Sequence, residues 1–95
     1  MQYVQLGRSG LKVSRICLGT LTFGSAQWRP WVLDLSSARP LFHRAVELGI
    51  NFFDTADTYS GGESEKITGQ CLAEMFPGAR REEVVIATKV FNPVD

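Results

Sequence analysis

Three apolar runs separated by two helix-like stretches constrain the fold of this chain more than any other feature. The runs lie at residues 15–20, 50–56 and 83–90, and the first of them shows no clean alternation of apolar and polar residues. Such runs are typical of strands that are buried on both faces of a parallel sheet. Strands that alternate with helices predict an α/β fold with right-handed crossovers between parallel strands.

The first predicted helix lies between the first two runs. Asp34, Ser36 or Ser37 can cap its N-terminus. Gly49 is expected to end it, and Pro40 limits how early it can start, since the first turn tolerates proline best. The apolar stripe that would pack on the sheet is Leu41, Phe42, Ala45, Val46 and Leu48.

The second predicted helix runs from Glu63 to about Phe76. Ser60 or Ser64 can cap its N-terminus, and the pair 77–78, Pro-Gly, closes it. Its apolar positions at helical spacing are Ile67, Cys71, Leu72 and Met75.

The segment before the first run predicts a β-hairpin, with extended pieces at 3–6 and 12–14 joined by a glycine turn.

A dinucleotide-binding fold would carry Gly-x-Gly-x-x-Gly after the first strand, whereas residues 19–24 read Gly-Thr-Leu-Thr-Phe-Gly. A (β/α)8 TIM barrel remains, which takes about 250 residues. Residues 1–95 are therefore predicted to be the N-terminal part of one such barrel domain: the hairpin, the first three strands and two helices, truncated there. The third strand would be an open apolar edge, suited to a complementing chain or to self-association.

Charge and cysteine usage exclude several classes of partner. Ten basic residues balance ten acidic ones, so nucleic acid is not an expected partner. No secretory signal or apolar run of membrane-spanning length is present, which predicts a cytoplasmic protein. Cys17 and Cys71 have no metal-ligand spacing, and both are interpreted as small core residues rather than as a disulfide.

Three polar residues are predicted at the carboxyl ends of the strands, where barrels of this kind build their active sites. They are Asp54, Tyr59 and Lys89. Taken singly each has an ordinary explanation: a turn cap for Asp54, a packing aromatic for Tyr59 and a lysine that reaches solvent for Lys89. A lysine next to an apolar strand is costly unless it is paired, however, and Asp54 is the expected partner.

Together these three residues fit the delivery of a proton to a carbonyl oxygen during hydride transfer. A tyrosine hydroxyl is a reluctant proton donor at neutral pH, and an adjacent ammonium group favours its phenolate form. A carboxylate in turn fixes the ammonium group and offsets its burial. Tyr59 would then act as general acid in reduction and general base in oxidation.

Four segments of the sequence resemble the aldo-keto reductase family, and especially its bacterial reductases and potassium-channel β-subunits. They are residues 3–14, 18–24, 49–59 and 84–89, and the most specific is the Asp-Thr-Ala-x-x-Tyr motif at 54–59. The resemblance covers essentially the whole chain. It implies a TIM barrel whose hairpin closes the bottom of the cylinder, and NADPH-dependent reduction of aldehydes or ketones.

The resemblance also assigns roles to single residues. Asp54, Tyr59 and Lys89 match the catalytic aspartate, tyrosine and lysine of the family. The residues that match the segment beside the nicotinamide and its ribose are Gly19, Thr20 and Leu21, together with Asp54. Gln27 matches, more loosely, a cofactor contact of the channel β-subunit branch.

The chain departs from the family by lacking its fourth catalytic residue, a histidine after the fourth strand, and the late segments that hold the adenosine and 2′-phosphate of NADPH. Its single histidine, His43, lies within the first predicted helix and is expected on that helix's surface. Two readings therefore stay open: part of an oxidoreductase, or an inactive fragment, including a non-enzymatic cofactor-binding or interaction piece. Trp28 and Trp31 would line a substrate mouth or pack on the barrel rim.

Overall fold

The computed structural model of the protein describes residues 1–25, 27 and 30–90. The chain opens with an antiparallel hairpin of β1 (Tyr3–Gln5) and β2 (Lys12–Ser14), as predicted. A separate parallel sheet follows, with β3 (Leu18–Gly19), β4 (Phe52–Asp54) and β5 (Val85–Ala87) in that order. The predicted α/β class with parallel strands is confirmed.

The paired strands are shorter than the apolar runs that predict them. The third run, 83–90, was expected to be a strand throughout, but residues Gly78–Glu83 form a 3-10 helix and pairing stops at Ala87. β5 pairs only with β4 among the described strands, so nothing on its outer side extends the ladder. Lys89 consequently lies beyond the strand end and not within it.

Helix α1 (Leu35–Glu47) is capped by Asp34, whose carboxylate accepts a hydrogen bond from the Ser37 amide. Pro40 lies in its second turn, later than expected, because the cap at residue 34 starts the helix early. The helix buries Ala38, Phe42 and Ala45. Two predicted core positions are wrong: the side chains of Leu41 and Leu48 are exposed.

Helix α2 (Glu63–Met75) begins differently from the prediction. Its N-terminal cap is Gly62, which has a positive φ of 100°, and no side chain caps it. Ser60 and Ser64, the expected caps, instead point into the protein and are both buried. The predicted stripe is confirmed at Ile67, Cys71 and Leu72, which are buried, and at the partly buried Met75.

The hydrophobic core fills the space between the two helices and one face of the parallel sheet. At its centre the Phe42 ring lies 5.7 Å from that of Phe53 and 5.1 Å from that of Phe23. Truncating one of these buried rings to alanine would cost roughly 3–5 kcal/mol. The opposite face carries Gly19, Asp54 and Ala87, which are exposed or only partly buried.

The hairpin is attached to the amino-terminal end of the sheet. Asn51 precedes β4 and bonds to both ends of β2: its Oδ1 accepts from the Ser14 amide at 2.7 Å, and its Nδ2 donates to the Lys12 carbonyl at 3.2 Å. The Tyr3 hydroxyl donates to the Gly49 carbonyl at 2.6 Å. The carboxyl ends of the strands therefore stay open.

Both cysteines are free thiols, as predicted. Cys71 is fully buried, but the expectation of a core position is wrong for Cys17, which is exposed because the sheet face that it borders is open. Within the described ranges, no helix is long and apolar enough to span a membrane.

Candidate active site

The parallel register brings the predicted polar residues to one place. Asp54 is the last residue of β4 and lies beside Ala87, so Lys89, two residues further on, can fold back over the end of β4. Tyr59 follows β4 and opens a 3-10 turn, Tyr59–Gly62. All three side chains meet at the carboxyl end of the sheet, as expected from the sequence.

The ammonium group of Lys89 has a full set of acceptors. Its Nζ donates to Asp54 Oδ2 at 2.9 Å, to the Thr55 carbonyl at 2.9 Å and to the Tyr59 hydroxyl at 3.0 Å. A lysine has three N–H donors, so each is used. The ammonium group is thereby fixed in front of the tyrosine oxygen, 4.9 Å from the ring centroid.

These contacts determine the charge state of Lys89. The hydrogen bond from Lys89 to the Tyr59 hydroxyl, and then that to the Asp54 carboxylate, raise the pKa of Lys89 above its ordinary value. The side chains of Lys89 and Asp54 are 50% and 39% exposed, so solvent screens the ion pair. The lysine is a firmly protonated donor that stays open to solvent.

The turn that carries Tyr59 has an unusual backbone. Ser60, Gly61 and Gly62 all have positive φ, at 50°, 61° and 100°. Ser60 is buried against Gly24 of the loop after β3, where a Cβ on residue 24 would clash with Ser60 Oγ. Gly24 therefore permits a close approach that ties the loop after β3 to the turn after β4.

A buried hydroxyl cluster lies behind Asp54. The Thr20 amide and Thr20 Oγ1 each donate to the Asp54 carbonyl at 3.0 Å. Ser64 Oγ, at the start of α2, lies 2.6 Å from the Thr20 carbonyl and 3.1 Å from Thr20 Oγ1. Thr20 and Ser64 are both fully buried, so these bonds are shielded from water.

The predicted cofactor-contact residues divide into two groups. Gly19 lies next to Asp54 on the open face, and a Cβ built there meets no atom within 4 Å. Leu21, two residues further along the chain, is 41% exposed to solvent. Thr20 faces the opposite way into the hydroxyl cluster, so its side chain supports the strand and is not available at the surface.

Other predicted residues belong to the first helix and to the loop that precedes it. His43 is exposed on α1, as expected. Gln27 and Trp31 are exposed in the loop before α1, while Trp28 lies outside the described residues. Over the part of the chain that the structure describes, no group of three or more histidine, cysteine or acidic side chains could hold a metal ion.

Sequence reasoning did not find three of these features. The sequence pattern predicts Ser64 as a helix cap, not as a buried hydrogen-bonding residue. The Thr55 carbonyl is a backbone group, which side-chain patterns do not indicate. The contact between Gly24 and Ser60 joins residues that are far apart in sequence. The only available signal was at Ser64, a small polar residue on the same helical face as the apolar Ile67 and Cys71.

Comparison with known proteins places the sequence of this chain in a family. Residues 15–95 match the model of the aldo/keto reductase family. The chain is 45% identical over 95 residues to versiconal hemiacetal acetate reductase of Aspergillus parasiticus, covering 100% of the chain and 27% of that protein. It is 42% identical over 92 residues to a probable voltage-gated potassium channel subunit beta of Oryza sativa subsp. japonica, covering 96% of the chain and 26% of that protein.

A solved structure agrees in fold. The holo form of aldo-keto reductase AKR11C1 from Bacillus halodurans superposes with a TM-score of 0.76 at 37% identity, covering 95% of this chain and 26% of that one. The chain thus spans about a quarter of the length of the relatives that it matches. On the family model and on these relatives, the chain belongs to the aldo/keto reductase family.

Proposed function

We propose that this chain contributes the proton-delivery end of an NADPH-dependent aldehyde or ketone reductase, within a barrel completed by further strands. The observation that carries the proposal is the fully bonded ammonium group of Lys89 between Asp54 and Tyr59. We also propose that residues 1–95 form the N-terminal part of a single barrel domain and that the protein is cytoplasmic.

The proton step follows from the direction of the hydrogen bonds. Because the Tyr59 oxygen accepts a bond from Lys89, its own proton remains available for a second acceptor. A substrate carbonyl on the open face would receive that proton as its carbon receives hydride, which yields the alcohol. The negative charge left on the Tyr59 oxygen would then face the Lys89 ammonium group, whose own charge Asp54 balances.

The open face near Gly19 suits a flat ring. A glycine without neighbours within 4 Å lets a ligand approach the backbone, and Asp54 lies next to it in the register. When bound there, reduced nicotinamide supplies the hydride. We assign direct contact to Gly19, Leu21 and Asp54, and a supporting role to Thr20, because its side chain is buried behind the strand.

An alternative role, cofactor binding without turnover, is raised by the likeness to potassium-channel β-subunits. The bonds around Lys89 favour the reductase, because binding a cofactor does not by itself require a cation fixed on a tyrosine oxygen. The proposal concerns the completed barrel. For the 95 residues alone we predict no turnover, since the parallel sheet formed by the described residues has three strands.

A chimaeric barrel would test the proposal. Residues 1–95 of this chain would replace the segment of versiconal hemiacetal acetate reductase that aligns with them. Consumption of NADPH would be followed with para-nitrobenzaldehyde as the probe. Tyr59→Phe should lower kcat by about 10²–10⁴-fold, the typical contribution of a general acid, while NADPH binding measured by fluorescence is retained.

Tyr3→Phe is the matched control, because the Tyr3 hydroxyl bonds to Gly49 at the opposite end of the sheet. It should leave turnover unchanged. Undiminished turnover in the Tyr59→Phe barrel would rule out the proposed proton donor. Loss of NADPH binding together with turnover would show instead that the tyrosine serves the cofactor and not the proton.

A further inference from the structure

We infer that Ser64 is a positioning residue, which aligns Asp54 and Thr55 with Lys89 through a buried hydroxyl relay that includes Thr20. The inference rests on the proposed function, because it concerns the accuracy of the proton-delivery site. Ser64 lies on α2 and touches none of the three polar side chains through any of its hydrogen bonds. Its influence has to pass through the backbone.

The relay begins with a short hydrogen bond between two elements. Ser64 Oγ is 2.6 Å from the Thr20 carbonyl and 3.1 Å from Thr20 Oγ1, and both residues have no exposed surface. A hydroxyl carries a single proton, so the shorter contact is the donated bond. Helix α2 thus fixes the backbone of residue 20 just after β3.

The relay continues from Thr20 to the peptide unit that joins Asp54 and Thr55. The Asp54 carbonyl accepts two bonds, from the Thr20 amide and from Thr20 Oγ1, both at 3.0 Å. On the other side of the strand, the Thr55 amide donates to the Ala87 carbonyl at 2.8 Å. The peptide unit is therefore held from both neighbouring strands.

This peptide unit lies between two of the three acceptors of Lys89. Asp54 Oδ2 precedes it and the Thr55 carbonyl follows it, and each is 2.9 Å from the ammonium nitrogen. A rotation of the unit would shift both acceptors together and move the ammonium group relative to the Tyr59 oxygen. Misplacement by about 1 Å in a catalytic site can lower a rate by about 10²-fold.

The helix offers an internal control one turn further on. Thr68 is 1% exposed, and its hydroxyl has no hydrogen-bond partner among the described residues. Ser64→Ala removes the first bond of the relay, whereas Thr68→Val removes a hydroxyl of similar burial that bonds to nothing in the relay. A general loosening of α2 would affect both variants, and the relay only the first.

The test uses the chimaeric barrel described above, with para-nitrobenzaldehyde and NADPH. We expect Ser64→Ala to lower kcat by about 10–100-fold, with KM for NADPH changed by less than about twofold, and Thr68→Val to behave like the parent. The pKa of Lys89, followed by NMR of the labelled ammonium group, should fall toward its ordinary value in Ser64→Ala and stay raised in Thr68→Val.

Each outcome separates this inference from the proposed function. If Tyr59→Phe abolishes turnover but Ser64→Ala leaves kcat and the Lys89 titration unchanged, the relay is wrong and the proton donor stands. If Tyr59→Phe retains turnover, the proposed function itself is wrong.

Should Ser64→Ala fail to fold, Thr20→Val is the second variant. It removes the hydrogen bond from Thr20 Oγ1 to the Asp54 carbonyl and keeps the hydrogen bond from the amide of residue 20 to the same carbonyl. It should lower kcat in the same way, and an unchanged kcat there would also overturn the relay.

Discussion

The two ends of the parallel sheet are built from different kinds of hydrogen bond. At the amino-terminal end, neutral groups of Asn51 and Tyr3 join the hairpin to the sheet through backbone partners. At the carboxyl end, an ammonium group, a carboxylate and a phenol face one another beside open space. Under the proposed function, one end would provide stability and the other chemistry, a division that is typical of parallel barrels. Breaking each end separately tests that division.

The largest expected effect is on turnover, from a change at the carboxyl end. Lys89→Met in the chimaeric barrel removes the cation that faces the Tyr59 oxygen, so kcat should fall by about 10²–10⁴-fold. The free energy of unfolding should change by less than about 1 kcal/mol, because the ion pair with Asp54 is half exposed. NADPH oxidation and urea denaturation measure the two quantities.

Lys66→Met is the matched control for that variant. Lys66 also pairs with a carboxylate, that of Glu63 at 3.2 Å, but on the exposed surface of α2. Turnover should be unaffected by its loss. An equal fall in kcat for both lysine variants would show that net charge, and not the contact with Tyr59, supports the reaction.

The second effect concerns stability and comes from the amino-terminal end. Asn51→Ala removes the acceptor of the Ser14 amide and the donor to the Lys12 carbonyl. The free energy of unfolding should fall by about 2 kcal/mol, since one partly buried backbone amide loses its partner. Urea denaturation of the 95-residue chain measures this. In the chimaeric barrel, kcat per folded molecule should be unchanged, and a fall in kcat would contradict the division between the two ends.

Prediction from sequence succeeded where short-range pattern or chemical cost determined the outcome. The period of the apolar residues indicated both helices, and the cost of an unpaired lysine beside an apolar strand indicated the contact between Lys89 and Asp54. The motif at 54–59 indicated which tyrosine would complete the group.

Prediction failed where the outcome depends on tertiary contacts. Leu41 and Leu48 fit the apolar stripe of α1 but face outward, because the sheet covers only one side of that helix. Ser64 fits a capping pattern, yet Gly62 caps α2, and the serine is drawn inward by the Thr20 carbonyl. Neither the exposure of one side of α1 nor the position of the buried Thr20 carbonyl can be predicted from local sequence.

A smaller effect should come from the turn behind Tyr59. Ser60 has φ 50° and ψ 38°, a left-handed conformation that costs a residue with a Cβ about 1–2 kcal/mol, and its buried hydroxyl has no partner among the described residues. Ser60→Gly removes both costs but adds backbone entropy to the unfolded chain, so a net gain of about 1 kcal/mol is expected. Urea denaturation checks this, and a loss of stability would show that the contact with Gly24 outweighs the strain.

The smallest effect is a pH dependence confined to the carboxyl end. Contacts with Tyr59 and Asp54 raise the pKa of Lys89 in the folded chain above the ordinary lysine value of about 10.4. The folded state thus holds the proton more tightly than the unfolded state does. The contribution of Lys89 to stability is fully present below the ordinary pKa and is lost as pH rises through the raised folded value. Because the side chain is half exposed, that contribution should be about 0.2–1 kcal/mol.

The contribution of Lys89 is measured as the difference in unfolding free energy between the parent chain and Lys89→Met, from about pH 8 to about pH 11. The difference should be constant below about pH 9 and decline above about pH 10, whereas a decline that begins near neutral pH would place the titrating group elsewhere.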